Sequence, residues 1–327
     1  MKLRLASAAP ASPAKKKRHC LNALAVALFV VASIVSESGQ AQPVLSAARP
    51  EKPGKPAPLT DINYTVTEAF PHDGKIVAAV NRSRELALVG DSAAFLVDKK
   101  RNITEFECLV FSAGATQLFT TPASINNRGD IVGFCHDDLG QIETGFLRSK
   151  NGNLFQFTAP DAASTVAHGV NDFGQIVGRA SGTSGSFSFI RSSDGRYQNI
   201  LPPTIEALVQ AVAINNSLKV VGHYSDNNGQ HAFLWDNGQF TELRVPGANG
   251  NNDVRQLNNN DQALMFATVD GVGSYFLYSD GNYLRINNPE GYTWQSVNAL
   301  NDNGELTGSA FDDQNVFFNI IARPSKK

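Results

Sequence analysis

The sequence has 327 residues, of which 42% are hydrophobic and 18% are charged. A charged fraction below the roughly 25% of an average soluble domain excludes a disordered chain or a charged coiled coil. The formal net charge is −2, and without the first 41 residues the chain keeps 22 basic and 29 acidic side chains. This acidic balance excludes a basic nucleic-acid-binding surface, so we expect no nucleic-acid partner.

The N-terminus has the pattern of an export signal. Basic residues at Lys15–Arg18 precede an apolar run of 15 residues at 21–35, and the small residues Gly39 and Ala41 follow it. This order is typical of a secretory signal peptide, and the run is shorter than the roughly 20 residues that span a bilayer. We therefore predict a signal peptide over 1–41, no permanent membrane span, and export to the periplasm or the exterior. The alternative is an uncleaved anchor.

The segment 42–59 is rich in proline and lacks hydrophobic periodicity, which is typical of an extended linker. Beyond it the chain repeats one unit six times. In each copy a short apolar segment ends at an asparagine, and these asparagines are 43 to 45 residues apart: Asn81, Asn126, Asn171, Asn215, Asn258 and Asn301. A second register consists of phenylalanines: Phe95, Phe146, Phe189, Phe233, Phe276 and Phe318.

Each unit is predicted to form four short strands. A tight turn follows the asparagine, and the third strand, which carries the phenylalanine, is predicted to end in a two-residue hairpin. The pairs that indicate these hairpins are Asn151-Gly152, Asp194-Gly195, Asn237-Gly238 and Asp280-Gly281. Four strands in about 43 residues is the period of a propeller blade.

The sixth unit stops after its third strand, and we predict that an N-terminal strand, Ile62–Thr67, completes it. Such a closure joins the ring and removes exposed sheet edges. The predicted fold class is therefore all-β: a six-bladed β-propeller of four-stranded blades over 60–323, closed by an N-terminal strand, with a short tail at 324–327.

These repeats resemble the bacterial extracellular HAF-repeat family, named after a His-Ala-Phe run in its units. His231-Ala232-Phe233 reproduces that run, and the other copies keep the phenylalanine. The resemblance covers roughly residues 78–321. It implies a secreted, repeat-built bacterial protein, and it assigns no activity to particular residues.

Because the positions shared by all copies build the blade, function is expected where the copies differ. The connections between second and third strands open on one face of a propeller, and there the copies carry acidic side chains and histidines. The candidates on this face are His136, Asp138, His223, Asp226 and Asp312. They indicate a site for a cation or a polyhydroxylated ligand such as a glycan. The alternative is that they are ordinary exposed loop residues.

Two further candidates fall inside the predicted innermost strands. The residue three before the asparagine is mostly small or apolar, but it is His168 in one copy and Arg255 in another. Either these side chains face the central channel and bind an anionic group, or they are solvated at the start of a strand.

No cofactor or metal site is predicted. The oxygen-rich loops at Asp226–Gly229 and Asn249–Asp253 lack the acidic twelfth residue of a calcium loop, and the histidines lack paired zinc spacing. Cys108 and Cys135 fall in neighbouring units, so an oxidising compartment permits a disulfide between them. Two free buried thiols are the alternative.

Two classes of function remain. The first, which the sequence favours, is an exported, monomeric, non-catalytic binding propeller whose acidic loop face recognises a carbohydrate, peptide or protein. The second is an extracytoplasmic glycan-acting hydrolase or lyase, with His136, His168 or His223 as the base and Arg255 as the anion stabiliser. Convergence of these four side chains in one funnel would favour the enzyme.

Overall fold

The computed structural model describes residues 59–71, 73–109, 115–139, 143–183, 185–201, 208–226 and 229–326. The predicted signal peptide over 1–41 lies outside the described residues, as does all of the predicted linker except Leu59. Within the described ranges, no helix is long and apolar enough to cross a membrane.

Six sheets follow one another along the chain and form a six-bladed β-propeller, as predicted. The strands are β1 (Thr60–Ile62), β2 (Tyr64–Pro71), β3 (Ile76–Val80), β4 (Leu86–Val89), β5 (Ala94–Val97), β6 (Ile103–Phe106), β7 (Leu118–Ile125), β8 (Ile131–Asp137), β9 (Glu143–Arg148), β10 (Leu154–Phe157), β11 (Ser164–Val170), β12 (Ile176–Gly182), β13 (Gly185–Arg191), β14 (Tyr197–Ile200), β15 (Leu208–Ile214), β16 (Val220–Asp226), β17 (Gly229–Asp236), β18 (Gln239–Leu243), β19 (Ala248–Leu257), β20 (Ala263–Val269), β21 (Val272–Ser279), β22 (Asn282–Ile286), β23 (Tyr292–Leu300), β24 (Leu306–Asp312) and β25 (Phe317–Pro324).

Blades one to five each consist of four consecutive strands, from β3 to β22, and blade six contains β23 to β25. The innermost strands are β3, β7, β11, β15, β19 and β23. Each contacts the next, and β23 contacts β3, so that they surround a central channel.

The N-terminus closes the ring as predicted, but its strand boundaries differ. Strand β2 pairs antiparallel with β25, which completes blade six. Ile62, which was expected in this strand, belongs instead to β1, a parallel fifth strand on β22 of blade five. The chain crosses between the two blades at Asn63, whose carbonyl accepts a hydrogen bond from the Ser325 amide at 2.8 Å.

The six repeated asparagines form a closed ring of hydrogen bonds. Each is buried, and its side-chain Nδ2 donates to the backbone carbonyl of the matching asparagine in the next blade, at 2.9–3.4 Å. Asn301 closes the ring by donating to the carbonyl of Asn81 at 3.1 Å. The side-chain Oδ1 accepts the amides of the residues two and four positions later, as Asn171 does from Phe173 and Gln175. One side chain therefore shapes the turn and joins two blades.

The turn after each asparagine needs a left-handed residue near its end. Gly129, Gly174 and Gly304 supply it in three blades. Arg84, Leu218 and Asp261 take the same position in the others at φ of 61°, 64° and 59°, a conformation that is uncommon for residues other than glycine.

The second strand of four blades carries a glycine, and in blades two, three and four this glycine lies opposite the repeated phenylalanine. A Cβ on Gly133, Gly178, Gly222 or Gly308 would lie 2.0–2.1 Å from a carbonyl oxygen of the innermost strand. The glycine therefore lets the innermost strand approach and leaves room for the ring. Phe146, Phe189, Phe233 and Phe276 are fully buried between blades. The prediction for blade six was wrong by two residues, because Ile320, not Phe318, pairs with Gly308.

Two of the four predicted hairpins have the expected length. Asp236 pairs with Gln239, and Ser279 pairs with Asn282, which leaves two-residue loops. The loops at Asn151-Gly152 and Asp194-Gly195 are one residue longer, because Ser149 and Ser192 bond the residues four positions later. There the glycine serves as the left-handed residue that ends a three-residue loop.

We expect Asn171→Ala to lower the free energy of unfolding by about 3 kcal/mol, because it leaves two part-buried amides and one buried carbonyl without their partners. Urea denaturation of the purified protein measures this loss. The matched control is Asn282→Ala, which removes an exposed amide with one long hydrogen bond of 3.3 Å and should cost no more than about 0.5 kcal/mol. Equal losses in the two variants would contradict a stabilising role for the ring.

Candidate functional site

The position three before each asparagine is a β-bulge in every innermost strand. The bulged residues are Ala78, Ala123, His168, Val212, Arg255 and Asn298. Five of the six are partly exposed between two buried neighbours. A bulge re-aims a side chain, so these residues face the central channel. This is the placement given in the first of the two alternatives for His168 and Arg255, and the anionic ligand in that alternative stays a prediction.

The polar bulge residues bond to the innermost strand of the next blade. Arg255 Nη1 donates to the Val297 carbonyl at 3.3 Å, and Asn298 Nδ2 donates to the Val77 carbonyl at 2.9 Å. His168 Nε2 lies 3.2 Å from Gln210 Nε2. Because the amide nitrogen is a donor, this contact requires an unprotonated His168 Nε2.

Six polar side chains from blades three, four and five surround this part of the channel. We name them the channel cluster: His168, Arg179, Gln210, His223, Asp253 and Arg255. Asp253 links His223 to Arg255, because its Oδ1 lies 2.8 Å from His223 Nε2 and its Oδ2 accepts a hydrogen bond from Arg255 Nε at 3.0 Å. On the other side Arg179 pairs with Glu143 of blade two at 3.1 Å. The cluster therefore pairs each arginine with one carboxylate.

Burial dominates the electrostatics of His168. Loss of solvent, and then the nearby charges of Arg179 and His223, lower its pKa to about 4. Burial also opposes ionisation of Asp253, but the hydrogen bond from His223 and the charges of His223 and Arg255 outweigh it and hold the pKa of this carboxyl below its ordinary value. At neutral pH the cluster thus contains a neutral imidazole beside an ionised carboxylate.

The proton on His223 decides which partner its Nε2 binds. The same nitrogen lies 2.9 Å from the Val254 amide, a donor, and 2.8 Å from the Asp253 carboxylate, an acceptor. An unprotonated Nε2 accepts from Val254, whereas a protonated one donates to Asp253. The nitrogen cannot do both at once, so the two contacts exclude each other.

The remaining predicted residues do not belong to the channel cluster. The ring of His136 stacks on Phe119 and Phe134, with centroid distances of 4.9 and 5.7 Å. Asp138 accepts the amides of Thr116 and Gln117.

The other two acidic candidates lie on hairpins. Asp312 accepts amides within its own turn, from Gln314 and Val316. Asp226 ends β16, and its side chain lies outside the described parts of the structure. Asp138 and Asp312 therefore stabilise the loops in which they lie, and their role in binding stays a prediction.

Sequence reasoning missed three members of the cluster. Gln210 and Asp253 each stand five residues before an asparagine, at a position where two other copies have Val166 and Ile76. Arg179 follows the glycine of its second strand, where the next copy has His223. Comparing every position of the repeat, and not only the position three before the asparagine, would have found all three.

The other end of the channel is nearly closed. Five residues that each follow a repeated asparagine line it: Arg82, Asn127, Asp172, Asn259 and Asp302. The sixth, Asn216, donates to Asp172 at 2.8 Å. Asn127 Nδ2 donates to Asp172 at 3.0 Å and to Asp302 at 2.7 Å. The remaining space is about 50 Å³, which is room for water rather than for a larger ligand.

Cys108 and Cys135 form a disulfide, with Cα atoms 6.0 Å apart. Cys108 follows β6 rather than lying within it, and Cys135 is in β8, so the bond joins blades one and two. In the described part of the chain, no three His, Cys, Asp or Glu side chains are grouped so as to hold a metal ion. Asn227 and Asn228, from one of the oxygen-rich loops, lie outside the described residues.

The fold and the channel define a six-bladed β-propeller with a polar cluster beside its axis. The sequence matches no protein-family model and no curated protein. Among solved structures, a putative TolB from Agrobacterium tumefaciens is 11% identical with a TM-score of 0.51, covering 77% of this chain and 91% of that one. A catalytically inactive virginiamycin B lyase from Staphylococcus aureus is 12% identical with a TM-score of 0.45, covering 77% and 87%. A gluconolactonase from Xanthomonas campestris is 11% identical with a TM-score of 0.44, covering 85% and 99%. At these identities the similarity shows the fold alone.

The lowered pKa of His168 makes stability depend on pH. Below pH 6.5 the unfolded chain binds a proton that the folded protein refuses until about pH 4, so stability falls as the pH falls through this window. At about 1.4 kcal/mol per pKa unit, the wild type should lose about 3 kcal/mol more than His168→Gln between pH 7 and pH 4. Urea denaturation across this range measures the difference. The two proteins should have parallel profiles above pH 7, and parallel profiles at all pH values would contradict the assignment.

Proposed function

We propose that this protein is an exported, non-catalytic binding propeller whose channel cluster recognises a carbohydrate. The observation that carries the proposal is a pair of contacts on adjacent blades: His168 with Gln210, and His223 with Asp253 and Arg255. Gln210 and His223 are partners on neighbouring strands of blade four, which brings the two contacts together. Fixed planar polar groups that offer both donors and acceptors match the hydroxyl groups of a sugar.

The charge balance favours a neutral ligand over the anion considered from the sequence. Arg255 is engaged by Asp253, and Arg179 by Glu143. Because both arginines are paired with carboxylates and His168 is neutral, the cluster offers hydrogen bonds, and the charges of its arginines are balanced. Phe266 and Tyr275, whose ring centroids lie 5.5 and 5.3 Å from the Arg255 guanidinium, add apolar surface beside it.

The nearly closed asparagine end sets the direction of entry. Its 50 Å³ space is smaller than a sugar ring, so the ligand reaches the cluster from the face where the second and third strands connect. Export remains a proposal from the sequence, as does membership of the HAF-repeat family. The Cys108–Cys135 disulfide supports an oxidising compartment.

One observation favours the second candidate, a glycan-acting hydrolase or lyase. His223 and Asp253 form a histidine–carboxylate pair at 2.8 Å, and such a pair can act as a general base with its orienting group. Glycan turnover is therefore measured together with glycan binding.

A glycan array with the processed protein, followed by calorimetry on the best ligand, tests the proposal. Gln210→Ala and Arg255→Ala should each weaken binding by about tenfold or more, because each removes hydrogen bonds in a desolvated site. The matched control is Asp313→Asn, an exposed acidic residue on a loop outside the cluster, which should leave affinity unchanged.

Three results separate the alternatives. If Asp313→Asn loses binding and the cluster variants do not, the binding site lies on the acidic loops and not at the channel cluster. Failure of every glycan to bind would reject the carbohydrate proposal. Products that appear with the wild type and disappear with His223→Asn would show an enzyme instead of a binding protein.

A further inference from the structure

A cavity of about 250 Å³ opens between blades six and one, away from the central channel. Its floor is apolar, with Leu86, Leu88 and Val97 from blade one facing Phe70 from β2. Its rim is polar and includes Arg101 and Asn319. It therefore lies at the seam where the two ends of the propeller chain meet.

The cavity exists because blade one departs from the repeat. In blades two, three and four the phenylalanine of the third strand lies against a glycine of the second. In blade one that glycine is replaced by Leu88, which pairs with Phe95. The Phe95 ring instead lies over Gly90, where an added Cβ would be 2.6 Å from its Cε2.

Phe95 is consequently half-buried, whereas four of its counterparts are fully buried. In blade five Met265 replaces the glycine and Phe276 is still buried. An unbranched methionine can bend aside, which the branched Leu88 does not do. The space that a ring fills in the other blades is thus left open here.

One cation at the rim lacks an acidic partner. Arg101 pairs with Glu68, and Asn319 donates to the Lys75 carbonyl at 2.9 Å. The Lys75 ammonium stands 4.9 Å from the centroid of the Phe95 ring, and no carboxylate of the described residues lies within ion-pair distance of it. Two carboxylates, Glu68 and Asp73, also line the cavity, but Glu68 is paired with Arg101, and Lys75 Nζ reaches only the backbone carbonyl of Asp73, at 3.5 Å. An anionic group placed at this edge of the cavity would therefore meet an ammonium group that has no carboxylate partner among the described residues.

We propose that the seam cavity binds a small amphiphilic anion, a bicyclic aromatic carboxylate whose rings fill the space against Leu88 and whose carboxylate pairs with Lys75. The volume supports this size, since a cavity of about 150 Å³ holds benzene and this one is larger. The aromatic rings of the ligand would occupy the space that a phenylalanine ring fills in the other blades. This site is independent of the channel cluster and of the carbohydrate proposal.

Calorimetry with 1-naphthaleneacetate tests the site. We expect saturable binding to the wild type and a loss of at least about tenfold in affinity in Leu88→Gly, which restores the glycine and lets Phe95 occupy the cavity. Val97→Phe fills the same space from the other strand. It serves as the second variant if circular dichroism shows that Leu88→Gly is unfolded.

The charge is tested separately from the cavity. Lys75→Gln should weaken naphthaleneacetate binding by about tenfold and leave binding of the neutral 1-naphthalenemethanol unchanged. Lys150→Gln, a lysine on a hairpin of blade two, is the matched control and should bind both probes as the wild type does. Undiminished binding in both cavity-filling variants, equal effects of the two lysine variants, or no saturable binding to the wild type would each overturn the proposal.

Discussion

The fold depends on one hydrogen bond repeated six times, from an asparagine amide to the carbonyl of the matching asparagine in the next blade. Each blade satisfies a buried group of its neighbour, and the last step, from Asn301 to Asn81, returns to the first blade. A buried amide without its acceptor is costly, so removing any one step leaves unsatisfied groups in two blades. The ring of asparagines therefore couples all six blades at one end of the channel. The pairing of β2 with β25 completes the outer edge of blade six.

A fixed ring at one end sets the backbone of every innermost strand. Because the bulge recurs three residues before each asparagine, the backbone presents one side chain per blade to the channel at the same height. The copies are free to differ there, as the change from Ala123 to His168 to Val212 shows. The channel cluster arises where a conserved backbone geometry meets variable side chains, and the polar members lie on consecutive blades, so they can contact one another.

The sequence alone was sufficient for the blade number and the closure by the N-terminus. Both follow from periodicity, which is a property of the backbone repeat. For the residue three before each asparagine, the sequence left open whether it faces the channel or solvent. It was insufficient wherever the outcome depended on pairing between strands. Phe318 falls near the expected spacing, yet the pairing of β24 with β25 places Ile320 opposite Gly308. Likewise the sequence does not reveal that Asp138 accepts the amides of Thr116 and Gln117, more than 20 residues earlier.

The seam between blades six and one shows how a closed ring tolerates a local defect. In blades two to five a buried phenylalanine fills the contact with a neighbouring blade. Loss of that ring would open a cavity between two blades that follow each other directly in the chain. At the seam other contacts join the same blades: the ion pairs Arg84–Glu305 and Arg101–Glu68, and the amide of Asn298 on the Val77 carbonyl. These contacts span the channel side and the outer side of the seam, so the space between them can stay open. The interface where the two ends of the propeller chain meet is therefore also the one where departure from the repeat leaves room for a ligand.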